Sequence, residues 1–229
     1  MSLSSPLIVA LVPMKHHSVR VPGKNHRLLG GIPLYHHIIK TLGKCSSISE
    51  IIIDTDSQEI QADVQTTFPK VRIIERPKDL CGDMVPMTDV LYYDSCQVSA
   101  DLYLQTHCTN PFLLSRTIEK AVSRWEELSI SHDSLFSVTR LQSRFWDSKS
   151  RPINHEPETL LRTQDVTPIY LENSCLYLFP SKLIQETRRR IGGRPYFLEI
   201  NQLEALDIDD EIDFRLAELI LEAQIHKQS

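Results

Sequence analysis

Apolar residues along this chain come in short bursts separated by longer amphipathic stretches. Residues 7–12, Leu-Ile-Val-Ala-Leu-Val, form a continuous aliphatic run of the kind expected for a strand buried on both faces. Pro33 opens a predicted helix in which Leu34, Ile38, Ile39 and Leu42 share one face, and proline is well placed at a first helical position. Further strands are predicted over 50–54, 71–74, 101–104, 134–138 and 175–179. Helices are predicted over 57–65, 88–98 and 115–128, with a short basic one from Ser181 and a last one over 211–224. In that last helix Ile212, Leu216, Leu219, Ile220 and Ala223 form a stripe. The pattern fades over 142–168, which reads as an insertion or an extended hairpin. Strands alternating with helices predict an α/β fold whose mostly parallel sheet is covered on both faces. Ligands in such sheets bind beyond the carboxyl ends of the strands, which points to the loops after Val12, Asp54, Ile74 and Leu104.

The 229 residues are 41% hydrophobic and 24% charged, a balance that suits one globular domain over 1–229 and excludes a disordered or fibrous chain. A net charge of −5 argues against nucleic acid and anionic membrane as partners, so an anionic ligand has to be met by local cations. The run at 7–12 is too short for a membrane span and has no signal-peptide flank. Five scattered cysteines without a Cys-x-x-Cys pair fit neither a disulfide framework nor a zinc site. They predict reduced thiols in the cytoplasm.

Two clusters carry candidate chemistry. After the first strand, Pro13-Met14-Lys15-His16-His17-Ser18-Val19-Arg20-Val21-Pro22-Gly23-Lys24-Asn25 sets three permanent cations in one loop, beside a serine hydroxyl and a Pro-Gly bend. A triphosphate needs such partners: point charges from lysine, a fork from arginine, and exposed backbone N–H groups. The loop matches neither the P-loop nor the dinucleotide glycine motif, and charged loops are commonly just solvated. Near the other end, Asp207, Asp209, Asp210, Glu211 and Asp213 precede the last helix. Alternate residues of an extended segment point the same way, so Asp207 and Asp209 can converge on one Mg²⁺ ion. Asp210 and Glu211 are accounted for as helix cap and first turn. No glycine allows an EF-hand loop there.

The loop resembles the opening of the CMP-sugar-acid synthetases, the acylneuraminate cytidylyltransferases and their relatives, with Pro13, Ser18, Pro22, Gly23, Lys24 and Asn25 in register. Four further blocks follow in the family's order. They are Asp54-Thr55-Asp56-Ser57; Arg76-Pro77 through Leu80 with Asp83; Leu104-Gln105-Thr106 with Asn110-Pro111; and Asn173 through Phe179 followed by Asp207-Ile208-Asp209 and Asp213-Phe214. The resemblance covers nearly the whole chain and implies a Rossmann-like sheet of the nucleotide-diphospho-sugar transferase type. It implies that CMP from CTP is joined to an acidic sugar, with pyrophosphate released. Lys15 and Lys24 would hold the triphosphate with Ser18 and Arg20 close by. Pro13, Met14, Asn25, Arg76 and Asp83 would complete the nucleotide site, Arg76 at the cytosine. Gln105 and Thr106 would meet the sugar acid, with Arg162, Gln164, Tyr170 and Asn173 on the same side. Asp207 and Asp209 would carry Mg²⁺, making Lys15, Lys24 and Asp209 the catalytic set. A projecting insertion at about 142–172 would help build a homodimer.

The chain also departs from the family. Lys15 stands for an arginine, His16-His17 for a glycine pair, Val19 for a lysine and Ser174 for a glycine, and the segment 105–111 carries an insertion. These changes leave the acceptor open among neuraminate-, legionaminate-, pseudaminate- and Kdo-like acids, and also leave open another nucleotide or a binding module without turnover. His36-His37 make a poor chelate because adjacent helical residues diverge by about 100°. Arg188-Arg189-Arg190 could meet an anion, but a basic run near a helix end is expected to answer the dipole and solvent. No nucleophile elbow supports a hydrolase triad.

Overall fold

A computed structural model describes residues 6–18, 20–159 and 161–226; Val19, one of the departures noted above, lies outside them. Seven strands form one sheet: β1 (Ile8–Met14), β4 (Glu50–Thr55), β5 (Arg72–Glu75), β6 (Leu102–Thr106), β7 (Ser134–Leu141), β8 (Ile169–Pro180) and β9 (Pro195–Glu199). Their order is β5-β4-β1-β6-β8-β7-β9, and β8 alone runs antiparallel to its neighbours. A small hairpin, β2 (Leu28–Leu29) with β3 (Ile32–Pro33), stands apart. The helices are α1 (Leu34–Leu42), α2 (Gln58–Thr67), α3 (Met87–Gln97), α4 (Ser115–Leu128), α5 (Ser181–Thr187) and α6 (Glu211–His226). The mostly parallel α/β sheet expected from the alternation is present.

All seven residues of β1 are buried, and the reason is its place in the middle of the sheet. Ile8, Ala10, Val12 and Met14 pack with α1, α2 and α4 on one face, while Val9 and Leu11 pack with α3 and α5 on the other. The predicted helix at 115–128 is observed at those bounds, and α2 starts from Ser57, whose hydroxyl accepts the Ile60 N–H. Elsewhere the strands run longer than expected. β8 begins six residues before the predicted start at Cys175, and β9 falls in a segment that was assigned no element. The insertion is irregular from 142 to 168, with a Trp146–Pro152 bridge and one 3₁₀ turn at Thr163–Asp165. Its last residues, from 169 to 172, belong to β8. Among the described residues no helix is long and apolar enough to cross a membrane.

A third, smaller core positions the site. Ile208, Phe214 and Ala217 from the end of the chain pack with Val21, Leu29 and Leu34 near its beginning and with Phe112 after β6. Gly30 has φ +59°, and a Cβ there would come 2.8 Å from a Leu221 methyl, so the hairpin approaches α6 closely only because it carries glycine. Arg27 caps this contact, its guanidinium 3.8 Å from the centre of the Phe214 ring. Burial of Phe214 alone is worth about 1.5–3 kcal/mol, and it ties the carboxyl-terminal acids to the amino-terminal basic loop.

Candidate active site

The carboxyl ends of β1, β4, β5 and β6 open onto one edge, where the two charged clusters meet. Lys24 Nζ donates to Ile208 O at 2.5 Å, and Arg20 Nη2 donates to Asp209 Oδ1 at 2.5 Å. Ile208 is itself fixed by its N–H, which donates to Thr109 O at 2.9 Å in the loop after β6. Residues separated by more than 180 positions thus share one rim. Lys15 Nζ donates to Gly82 O at 3.0 Å and to Asp83 at 3.3 Å, closing the same rim from the segment after β5. Every permanent cation of the loop is paired inside the chain in this state. The pairs at Lys15 and Arg20 are solvent-exposed and weak, so an incoming polyanion can exchange for them at little cost.

Asp207 and Asp209 divide their work. Asp207 is held mostly away from water, and burial together with the Asp209 charge raises its pKa against the opposing pull of Thr109 and Lys24. Its Oδ1 is buried without a hydrogen-bond partner. Asp209 is about half exposed. An orphaned buried carboxylate oxygen beside a second, accessible carboxylate is an all-oxygen donor set that fits a hard divalent ion. Asp210 caps α6 through the N–H groups of Ile212 and Asp213, and Asp213 in turn accepts the N–H groups of Asp209 and Asp210. The capping role read from sequence for Asp210 is therefore met, and that cap holds Asp209 in place.

Two residues expected at the nucleotide face inward. The Asn25 amide donates to Lys15 O at 2.8 Å and accepts from Cys108, which shapes the loop. The Arg76 side chain is 1% exposed and pairs with Asp54, whose side chain is equally buried. Asp94 lies against that pair and is pushed up to about 9 by burial and by the Asp54 charge. That shift favours the protonated carboxyl beside the Asp54–Arg76 pair. Arg76 therefore braces the β4–β5 edge through Nε and Nη2, while its Nη1 is buried without a partner. Pro13 and Met14 are the buried end of β1, and Ser18 is half-buried beside the loop.

On the side where the resemblance puts the sugar acid, Gln105 is fully buried at the end of β6. Its Oε1 accepts from Arg190 Nη1 at 2.7 Å, and its Nε2 lies 2.8 Å from His107 Nε2. The Arg190 guanidinium sits 3.5 Å over the Tyr177 ring and 3.6 Å from Glu172, which accepts the Tyr177 hydroxyl. Burial and the Arg190 and Lys24 charges press His107 down to about 4, so the imidazole is neutral and accepts from the Gln105 amide. Sequence reasoning assigns Arg190 to a helix dipole and solvent; the structure turns it inward instead, onto Tyr177 and Gln105. It is the last of a basic run, and its neighbour Arg188 ends α5 in the left-handed region at φ 54°, turning the chain inward. Asp133 then accepts the N–H groups of Gly193 and Arg194 and secures that turn.

The other acceptor-side expectations are met unevenly. Thr106 is buried and donates to Cys175 O at 2.8 Å, a bond internal to the sheet. The Asn173 amide is buried between Ser137 and Thr139, so it locks β8 to β7 and is not presented to a ligand. Ser174 takes φ 58°, the conformation that favours glycine, and its hydroxyl donates to the Tyr177 oxygen at 3.2 Å, because the Tyr177 proton goes to Glu172. Tyr170 lies seven residues from Tyr177 along β8, roughly 20 Å away at strand rise, and packs beside Phe197. Arg162 and Gln164 are exposed on the insertion, Arg162 paired with Asp165 at 2.7 Å. These three do not reach the Gln105 group within one chain.

Comparison with known proteins agrees with this geometry. A family model described as cytidylyltransferase matches residues 9–226. The chain is 30% identical to the CMP-N,N'-diacetyllegionaminic acid synthase of Legionella pneumophila, over 94% of this chain and 96% of that protein. It is 26% identical to N-acylneuraminate cytidylyltransferase A of Danio rerio, of which it spans about half (50%). A solved CMP:2-keto-3-deoxy-manno-octonic acid synthetase complexed with CTP shares the fold at a TM-score of 0.72 and 12% identity, covering 95% of this chain and 99% of its own. A 4-diphosphocytidyl-2C-methyl-D-erythritol synthase does so at 0.71 and 14% identity, covering 96% and 100%. With a family model spanning the sheet from β1 to α6, and a relative matched over nearly its full length, the chain belongs to the cytidylyltransferase family.

Proposed function

We propose that the chain transfers CMP from CTP to a 2-keto sugar acid, with a legionaminate-like nonulosonic acid as the first candidate acceptor, neuraminate- and pseudaminate-like acids next, and the octulosonic, Kdo-like acids after them. The observation that carries this reading is the shared rim on which Lys24 meets Ile208 O and Arg20 meets Asp209. In the reaction the acceptor's anomeric hydroxyl attacks the α-phosphorus in line. A new oxygen–phosphorus bond forms as the bond to the bridging oxygen breaks, the hydroxyl proton is released to solvent, and pyrophosphate leaves. Lys24, Arg20 and Lys15 exchange their internal partners for phosphate oxygens and neutralise charge as it shifts to the leaving group. Asp207 and Asp209 would hold Mg²⁺, which supplies charge neutralisation between phosphate and acceptor. Arg190 and Gln105 orient the acid on the β6–β8 side.

The insertion at about 142–172, with Arg162, Gln164 and Tyr170, fits a homodimer contact that would bring these exposed groups to a neighbouring site. The same reading places the enzyme in the cytoplasm, upstream of cell-surface polysaccharide assembly.

The test is incubation with Mg²⁺, each of CTP, UTP, GTP and ATP, and each acid separately, with the conjugate identified by mass and pyrophosphate measured in parallel. A CMP conjugate formed with CTP in preference to the other nucleotides is expected. Equal use of all four nucleotides would overturn the base assignment. Calorimetric CTP binding without product from any acid would favour a binding module instead, a reading motivated by Lys15 and the paired histidines.

A further inference from the structure

The two histidines nearest the basic loop make a group that nucleotidyl transfer does not use. One ring nitrogen each from His16 and His26 and one carboxylate oxygen of Glu59 lie within 4.8 Å of one another. The three come from different elements: the segment after β1, the turn after Gly23, and the first turn of α2. Each is anchored separately. The His16 N–H donates to Asp56 at 2.7 Å, the His26 N–H donates to Gly23 O at 3.0 Å, and Glu59 rides on a helix capped by Ser57. The buried Ser57 hydroxyl touches both rings, 3.0 Å from His16 Nδ1 and 3.3 Å from His26 Nε2. His26 Nε2 is 3.5 Å from Glu59. Beside the group His16, Asp56, Gln58 and Glu59 line a cavity of about 240 Å³, room for water or an anion to complete a coordination shell.

We infer that His16, His26 and Glu59 form a binding site for a divalent transition ion of the zinc class, separate from the carboxylate pair at Asp207 and Asp209. Two imidazoles and one carboxylate suit borderline ions such as Zn²⁺ or Co²⁺, whereas Mg²⁺ prefers an all-oxygen set. Ligand atoms around zinc sit roughly 2.0–2.2 Å from the ion, so closing the group needs only side-chain rotations about half-buried rings and an exposed glutamate. Occupancy would pin the loop bearing Lys15 and Ser18 to the start of α2. It would also give the His16 substitution a purpose that phosphate contact alone does not.

The test uses the full chain after chelator treatment, with Co²⁺ as the probe and no nucleotide present, so its outcome is independent of the catalytic reading. With excess Mg²⁺ present to fill the carboxylate pair, one Co²⁺ per chain is expected, with visible d–d bands that Zn²⁺ abolishes. His26→Gln should abolish the bands, and Glu59→Gln should weaken Co²⁺ binding by about tenfold or more. A thermal melt checks that both variants fold; Glu59 is largely exposed, so its variant decides the matter if His26→Gln does not fold. A wild-type chain without bands, or bands of unchanged affinity in the variants that fold, would overturn the assignment.

Discussion

The two sides of this site are built on opposite principles. On the phosphate side the charges are accessible and provisionally satisfied: Lys15 by Asp83, Arg20 by Asp209, Lys24 by a backbone carbonyl. On the proposed acceptor side Gln105, Arg190, Tyr177 and Glu172 are interlocked, with Gln105 and Tyr177 buried and Glu172 exposed at the edge. A flexible polyanion can displace exposed pairs one at a time, because each contributes little in water. A small acid offers few groups, so the protein must fix their partners beforehand. The difference predicts that damage on the phosphate side will appear in nucleotide affinity and rate, and damage on the acceptor side in the acid's KM and in specificity.

The largest effect should come from the small core joining the two chain ends. Phe214→Ala removes its central ring and should cost about 3–5 kcal/mol of stability. Denaturant unfolding measures that cost, and calorimetry should show weakened CTP binding in whatever fraction remains folded. Next is the acceptor wall. Arg190→Met keeps most of the stacking area but loses the charged hydrogen bond, for which about 1.5–3 kcal/mol is typical, so kcat/KM for the acid should fall roughly 10–100-fold. The KM for CTP should not change. An equal loss for both substrates would erase the distinction between the two sides.

A pH effect follows from His107, whose folded pKa of about 4 lies below its ordinary 6.5. The unfolded chain binds this proton more readily, so stability is lost as pH falls from about 6.5 toward 4. His107→Gln should flatten that limb of a melting-temperature profile; an unchanged limb would remove the residue from the account. The smallest effect belongs to the exposed pair. Asp83→Asn should shift stability by less than about 1 kcal/mol, and a larger shift in a thermal melt would mean that the phosphate rim is more rigid than described.

Much of the phosphate side was legible in the chain because its signals are local. β1 is a continuous apolar run, the cations follow it without interruption, and Asp210 caps α6 at the position its residue type suggests. The acceptor side was harder to read. β8 hides behind Glu172, Asn173 and Ser174, polar residues satisfied by partners on β7 or by Tyr177, so the apolar pattern begins only at Cys175. β9 opens on a proline and buries only Leu198 fully, which leaves too few apolar positions to signal a strand. Arg190 and Arg76 carry charges usually found at surfaces, and only tertiary partners show that one stacks on a buried tyrosine and the other braces the sheet. The pairing of residues near 20 with those near 209 has no local signature and came only through the family resemblance.

Whether the two ends of the chain act on one triphosphate is decided by a double-mutant cycle on CTP affinity. Calorimetry with Mg²⁺ held constant would compare the wild type, Lys24→Met, Asp209→Asn and the double variant. If both residues serve one ligand, the losses are non-additive by about 0.5–3 kcal/mol. Strict additivity, or CTP affinity indifferent to either change, would contradict it.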